Sequence, residues 1–309
     1  AIGYYQLLSY DSTANSFRFY FSSPSHPPAA YEYHFETDEL KIDSEPTNID
    51  PIYFSYTSTK RIWVKSFDNT MIPVTIVQNR LHGKSHAGLI LKAYGAYGAL
   101  TIPDFSAADA ILLEQGYTIA YAHVRGESVL GPSWYQAGRG MQKKNSVEDY
   151  IACAEYLIDK EYTTPQKLIG YGNSAGGIVV GQAMNLKPYL FNSVILDHPY
   201  LDVINTMMND SLPLTLDEYK EWGDPNSKEV YDYILSYSPY QNITKQYYPN
   251  VLLIASYLDY QTPAWQIAKF AARLRQQNLS DSKILLLTDM TSGHKGSTTG
   301  KEWVKLYAE

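Results

Sequence analysis

The chain has 309 residues, of which 45% are hydrophobic and 18% are charged, and its formal net charge is −7. This composition supports a large core and excludes a disordered chain, and the negative charge argues against nucleic acid as a general partner. No apolar stretch reaches membrane-spanning length, and the single cysteine, Cys153, excludes an internal disulfide framework. We therefore expect a cytoplasmic protein with no membrane partner and with Cys153 as a small core residue.

The N-terminal part of the chain predicts short β-strands. Its first residues, Ala1-Ile2-Gly3, are neither an initiator methionine nor a signal peptide, so we expect a fragment or a processed form. Strand patterns at Phe17–Phe21 and Tyr31–Phe35 are separated by a turn-rich sequence. A hairpin pattern follows at Ile62–Lys65 and Ile72–Val77, with a turn between its two arms.

From Gly88 onward, strand patterns alternate with helix patterns. Such alternation favours a mostly parallel sheet that helices cover on both faces. The predicted strands are Leu89–Ala93, Thr118–Ala122, Val194–Asp197, Val251–Ala255 and Ile284–Leu287. The predicted helices are Ala107–Gln115, Val147–Asp159 and Ala264–Gln276.

The segment Gly172–Gly176 has the sequence Gly-Asn-Ser-Ala-Gly and matches G-x-S-x-G, the nucleophile elbow of α/β-hydrolases. An apolar run precedes it and a helix-compatible run follows it, which is the context that the motif requires. Glycines permit the sharp turn that exposes a serine hydroxyl, and the following helix directs N–H groups at an oxyanion. The pattern indicates Ser174 as a nucleophile.

The same region also fits a different class of protein. Gly170–Ala175 matches G-x-G-x-x-A, the dinucleotide-binding fingerprint, and Asp197 ends the next apolar run, roughly where a ribose-binding acid is expected. This alternative predicts a nucleotide-binding oxidoreductase.

Two later residues favour the hydrolase. A serine nucleophile needs a histidine base and a carboxylate that orients the base, in the chain order Ser, Asp, His. Asp259 follows the predicted strand Val251–Ala255, and His294 follows Ile284–Leu287. Alone, Asp259 fits a helix cap and His294 fits a solvated loop residue, but the dinucleotide interpretation explains neither of them.

Seven short motifs form a recognisable set: Ala93–Gly98, Trp134–Gly138, Gly172–Gly177, Ser211–Thr215, Glu221–Pro225, Tyr237–Tyr240 and Ser292–His294. Through these motifs the chain, from about residue 15 to its end, resembles the prolyl oligopeptidase family, and within it oligopeptidase B and the prolyl endopeptidase-like proteins. The resemblance implies an α/β-hydrolase fold and a Ser174–His294–Asp259 triad that cleaves short peptides through a covalent acyl-enzyme. It also implies an oxyanion hole formed by the Tyr94 hydroxyl and the Ala175 N–H, and it implies no cofactor.

The resemblance divides the chain into two parts. Residues 1–47 correspond to the last strands of a β-propeller with a linker, and residues 48–309 correspond to the catalytic domain. A β-propeller domain of the intact protein is therefore an expected partner, together with a short peptide or acyl substrate.

The sequence departs from the family pattern around the substrate. Members that select basic residues carry a Glu-x-Glu pattern, of which Glu218 is kept while Lys220 replaces the second glutamate. Gln261 stands where the family has a backbone-binding arginine, and Glu127-Ser128-Val129 stands where the family has a glycine-rich loop after its Arg-Gly pair, here Arg125-Gly126. We expect a weak preference for cleavage after Arg or Lys. The alternatives are a (thio)esterase or other acyl hydrolase, and a catalytically idle interaction domain.

Three other patterns predict no function. Gly296–Glu302 has too few residues between its glycines for a phosphate loop and lacks the final Ser or Thr. His82 and His86 lie in a loop context that does not favour a metal site, so no metal is expected. Lys143 and Lys144 are predicted to be a solvated surface pair.

Overall fold

The computed structural model describes residues 2–44, 56–82 and 87–296. The predicted boundary between residues 47 and 48 lies outside these ranges, as do His86 and most of the segment Gly296–Glu302.

The strands of the described residues are β1 (Tyr4–Asp11), β2 (Ser16–Ser23), β3 (His26–His34), β4 (Glu39–Ser44), β5 (Thr57–Lys65), β6 (Met71–Asn79), β7 (Gly88–Ala93), β8 (Tyr117–Ala122), β9 (Leu168–Asn173), β10 (Ser193–Asp197), β11 (Asn250–Ser256) and β12 (Ile284–Asp289). The helices are α1 (Ala107–Glu114), α2 (Pro132–Gln136), α3 (Lys144–Asp159), α4 (Gly176–Leu186), α5 (Val203–Met207), α6 (Thr215–Trp222), α7 (Lys228–Leu235) and α8 (Ala264–Gln277). Single 3-10 turns lie at Gly140–Gln142, Pro165–Lys167 and Pro188–Leu190.

The strands form a four-stranded sheet in the order β1-β2-β3-β4 and an eight-stranded sheet in the order β12-β11-β10-β9-β7-β8-β6-β5. The chain divides into two compact units, which are described in turn. The first consists of Ala1–Ile62, Val74–Leu89 and Ile102–Tyr121, and the second consists of Trp63–Pro73, Ile90–Thr101 and Ala122–Glu309.

The first unit contains the antiparallel sheet β1–β4. Aromatic side chains pair across its central strands, and the rings of Phe19 and Tyr31 stack with their centroids 5.5 Å apart. Cross-strand aromatic pairs of this kind stabilise a sheet. Elsewhere in this unit, Leu113 of α1 packs with Val77 and Ile119 in a buried cluster.

The second unit is built on parallel strands. Strands β9, β10, β11 and β12 pair in parallel, in register from Ile169 opposite Ser193 to Ser256 opposite Asp289. These strands consist mainly of apolar residues and contain few charged ones, as is usual for strands that are covered on both faces. The carboxyl ends of these strands therefore share one edge of the sheet, and the loops that follow them begin there.

A buried cluster in the second unit joins α4 to the segment between β10 and β11. It brings Ile178 of α4 together with Tyr200, Trp222 of α6, Ile234 of α7 and Tyr237. Helices α5, α6 and α7 are each too short to be stable alone. Packing in this cluster therefore stabilises the segment that contains them.

The alternation of strands and helices predicted from Gly88 onward is confirmed, and Cys153 is fully buried on α3 as predicted. The prediction for Lys143 is wrong. Its side chain is completely buried, donates a hydrogen bond from Nζ to the Gly95 carbonyl and lies 5.1 Å from the Trp222 ring centroid. Lys144, which begins α3, is exposed. At the beginning of a helix, the side chains of consecutive residues project in different directions. One lysine therefore faces the interior and the other faces solvent.

Within the described residues, no helix combines the length and the apolar character needed to cross a bilayer. The same part of the chain holds no group of three or more His, Cys, Asp or Glu residues arranged for a metal ion.

Candidate active site

Ser174 lies on the sharp turn between β9 and α4. Its backbone has a φ of 49°, a left-handed conformation that is unfavourable for a residue with a Cβ atom. The turn is held by three backbone hydrogen bonds: the Ser174 N–H donates to Asp197 O at 3.0 Å, and the Ser174 carbonyl accepts from Gly177 and Tyr200. The surrounding structure thus maintains the strained residue that the G-x-S-x-G pattern predicts.

The two glycines of the motif are needed for close packing. A Cβ atom on Gly172 would lie 2.6 Å from the Gly176 carbonyl oxygen, and one on Gly176 would lie 2.5 Å from the Ala93 carbonyl oxygen. Both contacts are shorter than a carbon atom allows, and both are with backbone, which cannot move aside. Glycine at these positions therefore lets the start of α4 approach both β9 and the end of β7.

The structure brings Ser174, His294 and Asp259 together from the loops after β9, β12 and β11. His294 Nε2 lies 2.9 Å from Ser174 Oγ, and His294 Nδ1 lies 2.7 Å from Asp259 Oδ2. Both distances are hydrogen-bonding distances. The three side chains have the geometry of a nucleophile, a base and a carboxylate that orients the base.

Asp259 is almost completely buried and accepts four hydrogen bonds. Its Oδ1 accepts from the N–H groups of Gln261 and Thr262, and its Oδ2 accepts from the Thr262 hydroxyl at 2.7 Å and from His294. Burial opposes the charged form, but the bonds from His294 and Thr262 outweigh it and hold the pKa of Asp259 below its ordinary value. Asp259 is thus a carboxylate. The sequence analysis did not single out Thr262, which is three residues after Asp259.

Tyr94 and Ala175 lie beside Ser174. Tyr94 follows β7, and burial raises its pKa, while contact with the Ser174 side chain opposes this shift in part. Its hydroxyl is therefore a neutral hydrogen-bond donor. Ala175 immediately precedes α4, and backbone N–H groups at the start of a helix have no acceptor within the helix. Both residues line the same cavity as Ser174.

A cavity of about 300 Å³ opens next to Ser174. Its lining combines aromatic and apolar side chains with hydroxyl and amide groups and one carboxylate, and includes Tyr94, Tyr97, Tyr200, Tyr260, Met207, Leu212, Thr215, Glu218 and Gln261. Glu218 Oε2 accepts hydrogen bonds from the Tyr97 hydroxyl at 2.8 Å and from Trp222 Nε1 at 2.7 Å. Burial raises the pKa of Glu218, and these two bonds oppose the shift.

Other residues from the sequence analysis lie apart from this lining. Lys220 is exposed, and its carbonyl accepts a hydrogen bond from Arg139 Nε at 2.6 Å. Arg125 is buried and pairs with Asp149 and Asp68, each at 2.6 Å, so it holds the interior of the second unit together. His82 is exposed.

The dinucleotide alternative depends on Asp197. In the structure, this carboxylate accepts hydrogen bonds from the Tyr171 hydroxyl at 2.9 Å and from His198 Nδ1 at 2.7 Å. Its backbone carbonyl accepts from Ser174, so Asp197 is part of the support of the serine turn.

A family model confirms the hydrolase interpretation. The model for the prolyl oligopeptidase family, Peptidase_S9, matches residues 103–309. The chain belongs to this family.

Curated relatives and solved structures from the family match over most of the chain. Dipeptidyl aminopeptidase BI from Pseudoxanthomonas mexicana is 35% identical over 91% of this chain and 39% of its own length. A prolyl endopeptidase-like protein from Xenopus laevis is 39% identical over 85% of this chain and 37% of its own. The structure of oligopeptidase B from Trypanosoma brucei with covalently bound antipain matches with a TM-score of 0.87 at 32% identity, over 96% of this chain and 42% of that one.

Two conclusions follow from these comparisons. The predicted fold class, an α/β-hydrolase with N-terminal strands like those that end a β-propeller, is confirmed. The chain spans about two fifths of the length of the curated relatives that it matches.

Proposed function

We propose that this chain carries the catalytic domain of a serine oligopeptidase, with Ser174 as nucleophile, His294 as base and Asp259 as the carboxylate that orients it. One observation carries the proposal: His294 lies within hydrogen-bonding distance of both Ser174 and Asp259, at 2.9 and 2.7 Å. Membership of a peptidase family supports the choice of a peptide substrate.

The reaction begins with proton transfer within the triad. As Ser174 Oγ forms a bond to the acyl carbon of the substrate, His294 Nε2 accepts the hydroxyl proton. Asp259, held as a carboxylate by four hydrogen bonds, keeps His294 Nδ1 protonated and stabilises the imidazolium that forms. The negative charge on the acyl oxygen is stabilised by the Ala175 N–H and the Tyr94 hydroxyl.

The intermediate collapses when His294 returns the proton to the leaving amine, which departs and leaves an acyl-Ser174 ester. A water molecule then attacks the ester, and His294 accepts its proton and delivers it to Ser174. Hydrolysis in two steps through one histidine needs no cofactor.

The cavity beside Ser174 supports a weak preference for a basic residue before the cleaved bond. Tyr97 and Trp222 both bind Oε2 of Glu218, and none of the described residues donates a hydrogen bond to Oε1. A half-buried carboxylate with a free oxygen and surrounding tyrosine rings favours a guanidinium or an ammonium group.

An acyl hydrolase with little peptidase activity is the second candidate. Gln261 lines the cavity, and an amide at this position binds a peptide backbone more weakly than a charged guanidinium would. An ester substrate does not need that contact. A catalytically idle interaction domain is the alternative from another class.

We further propose that residues 1–47 are the last strands of a β-propeller and that residues 48–309 are the catalytic domain. The four-stranded antiparallel sheet β1–β4 supports this proposal, because four such strands in sequence order make one propeller blade. The propeller of the intact protein is then the partner of this chain.

Covalent labelling separates either hydrolase from an idle domain, and a substrate panel separates the two hydrolases. We expect a fluorophosphonate probe to label the chain at Ser174, and we expect Ser174→Ala to abolish both labelling and turnover. Ser133→Ala, at an exposed serine of α2, is the control and should label normally. Labelling that survives Ser174→Ala would contradict the triad. Hydrolysis of esters without hydrolysis of a matched peptide panel would favour the second candidate.

A further inference from the structure

The backbone that carries Tyr94 leaves the regular sheet at the end of β7. Gly95 has a φ of 71° and Tyr97 has a φ of 57°, both in the left-handed region. A Cβ atom on Gly95 would lie 2.8 Å from a methyl carbon of Val124, so this turn requires glycine. The peptide groups of such a turn are not part of a strand ladder, and those that are buried need other hydrogen-bond partners.

Two completely buried ionisable side chains are the partners of Gly95. Glu127 Oε1 accepts a hydrogen bond from the Gly95 N–H at 3.4 Å, and Lys143 Nζ donates one to the Gly95 carbonyl. The first of these peptide groups joins Gly95 to Tyr94, and the second joins it to Ala96. Both peptide groups are thus held by side chains from other parts of the second unit, the loop after β8 and the residue immediately before α3.

The Glu127 and Lys143 side chains have further partners of their own. Glu127 Oε1 also accepts a hydrogen bond from the Thr101 hydroxyl at 2.7 Å, and Lys143 Nζ lies 5.1 Å from the centroid of the Trp222 ring. Burial opposes the charged form of Lys143, and the carboxyl groups of Glu221 and Glu127 favour it. Side chains that are packed and bonded in this way have little rotameric freedom, so the peptide groups that they bind are also held in place.

We propose that Lys143 is a positioning residue for the oxyanion hole and that it acts, together with Glu127, through the backbone of Gly95. This proposal goes beyond the proposed function and rests on it, because it needs the Tyr94 hydroxyl to be an oxyanion donor. The orientation of the two peptide groups of Gly95 determines where the Tyr94 side chain leaves the backbone, and hence where its hydroxyl lies relative to Ser174. Lys143 is completely buried, so a substrate cannot touch it, and its effect on the reaction passes through Tyr94.

The position of an oxyanion donor affects the rate strongly. A displacement of about 1 Å can cost on the order of 10²-fold, since a hydrogen bond weakens steeply with distance and angle. Hydrogen bonds that involve a charged group are about twice as strong as those between neutral groups. The Lys143 ammonium on the Gly95 carbonyl is therefore suited to keep the Tyr94 hydroxyl in place while the oxyanion forms.

A double-mutant cycle between Lys143 and Tyr94 tests the proposal. The four proteins are the unaltered chain, Lys143→Met, Tyr94→Phe and the double variant. The substrate is a peptide with Phe before the cleaved bond, so that changes around the Glu218 carboxylate have little effect. We expect Lys143→Met alone to lower kcat by about 10- to 100-fold, with KM within about threefold. In the Tyr94→Phe background the same change should lower kcat by less than about threefold, because the hydroxyl that Lys143 positions is already absent.

The cycle also separates positioning from a structural role. Lys144→Met, at the exposed neighbour, is the matched control and should leave kcat within about twofold of normal in both backgrounds. A merely structural role would lower kcat by the same factor whether or not the Tyr94 hydroxyl is present. Equal factors in the two backgrounds, or an unchanged kcat in Lys143→Met, would therefore overturn the proposal. If Lys143→Met does not fold, Glu127→Gln replaces it in the cycle, with an expected loss of about three- to tenfold that again disappears in Tyr94→Phe.

Hydrogen exchange followed by mass spectrometry gives a second readout, which does not depend on activity. We expect the amides of residues 94–98 to exchange at least about tenfold faster in Lys143→Met than in the unaltered chain, while those of β9 and β10 stay slow. Lys144→Met should change neither region. Unchanged exchange at residues 94–98, or an equal rise in β9 and β10, would overturn the proposal. If the unaltered chain neither labels nor turns over, the proposed function fails, while the exchange result still decides whether Lys143 holds this turn.

Discussion

The Tyr94 hydroxyl is a neutral donor beside Ser174, and its proposed role concerns the transition state alone. Tyr94→Phe removes this donor with little change in shape. We expect kcat to fall by roughly 10²- to 10³-fold and KM to change little, because a bond to the oxyanion forms mainly after the substrate is bound. Steady-state kinetics on one peptide measures both constants. A raised KM with an unchanged kcat would instead make Tyr94 a residue that packs against substrate.

Glu218 carries the proposed preference for basic residues, and Lys220 provides a matched comparison. The quantity compared is the ratio of kcat/KM for a peptide with Arg before the cleaved bond to kcat/KM for the same peptide with Phe there. Glu218→Gln should lower this ratio by about tenfold or more, because a half-buried charge pair is lost. Lys220→Glu should change this ratio by less than about threefold, because Lys220 is exposed and water screens its charge. A larger effect at Lys220 than at Glu218 would contradict the assignment of the cavity.

Lys143 is completely buried, and burial lowers its pKa from 10.5 to about 8, against the opposing effect of Glu221 and Glu127. The unfolded chain therefore binds more protons than the folded chain between these values, so Lys143 makes stability rise with pH across this window. At about 1.4 kcal/mol for each pH unit, the full rise is on the order of 3 kcal/mol.

Lys143→Met should remove this rise. The quantity to measure is the free energy of unfolding of the unaltered chain minus that of the variant, by urea denaturation at several pH values. We expect this difference to increase between about pH 7 and pH 10.5. Lys144→Met changes an exposed neighbour and should leave the profile unaltered. If the free energies of unfolding of the unaltered chain and of Lys143→Met change in parallel with pH, folding does not lower the pKa of Lys143.

The sheet β1–β4 exposes apolar residues on its outer strands, including Tyr5, Leu7, Tyr10, Leu40 and Ile42. Strands β1 and β4 are at the two ends of its order, so no strand of the described residues pairs with the outer edge of either. We expect their amides to exchange with solvent at least about tenfold faster than those of β9, β10 and β11. Hydrogen exchange followed by mass spectrometry checks this. Equal protection would show that these strands are covered in a way that the sheet order does not indicate.

The bounds of β7, β8, β10, β11 and β12 could be predicted to within two residues, because each of these strands is an unbroken apolar run bounded by turns. Strands β1 and β4 were not predicted, since both have mixed polar sequences and are largely exposed. Helices α5, α6 and α7 were not predicted either, because they are short and are stabilised by packing around Trp222 more than by their own sequences.

The proposed triad could be predicted because its order in the chain and its positions after strands are local features. The contact between the side chains of His198 and Ser256 could not, because it depends on the parallel register that places β10 beside β11. The environment of Lys143 depends in the same way on Gly95 and Trp222, which are distant in sequence.

In the proposed function, bond cleavage and substrate choice depend on different parts of the chain, the triad and the cavity that contains Glu218. Trp222→Phe, which removes the donor to Glu218 without changing the triad, tests this division. We expect a raised KM for Arg peptides and a fluorophosphonate labelling rate within about twofold of normal, since a small probe does not use the cavity. A large fall in the labelling rate would show that the two parts are coupled.

The segment between β10 and β11 contains three short helices and supplies Met207, Leu212 and Glu218 to the cavity, whereas Ser174 is fixed by the turn between β9 and α4. A mutation in that segment can therefore reshape the pocket while the strand register keeps the reacting atoms in place. Such a layout allows selection to explore new substrates one residue at a time, without a period in which hydrolysis itself is lost.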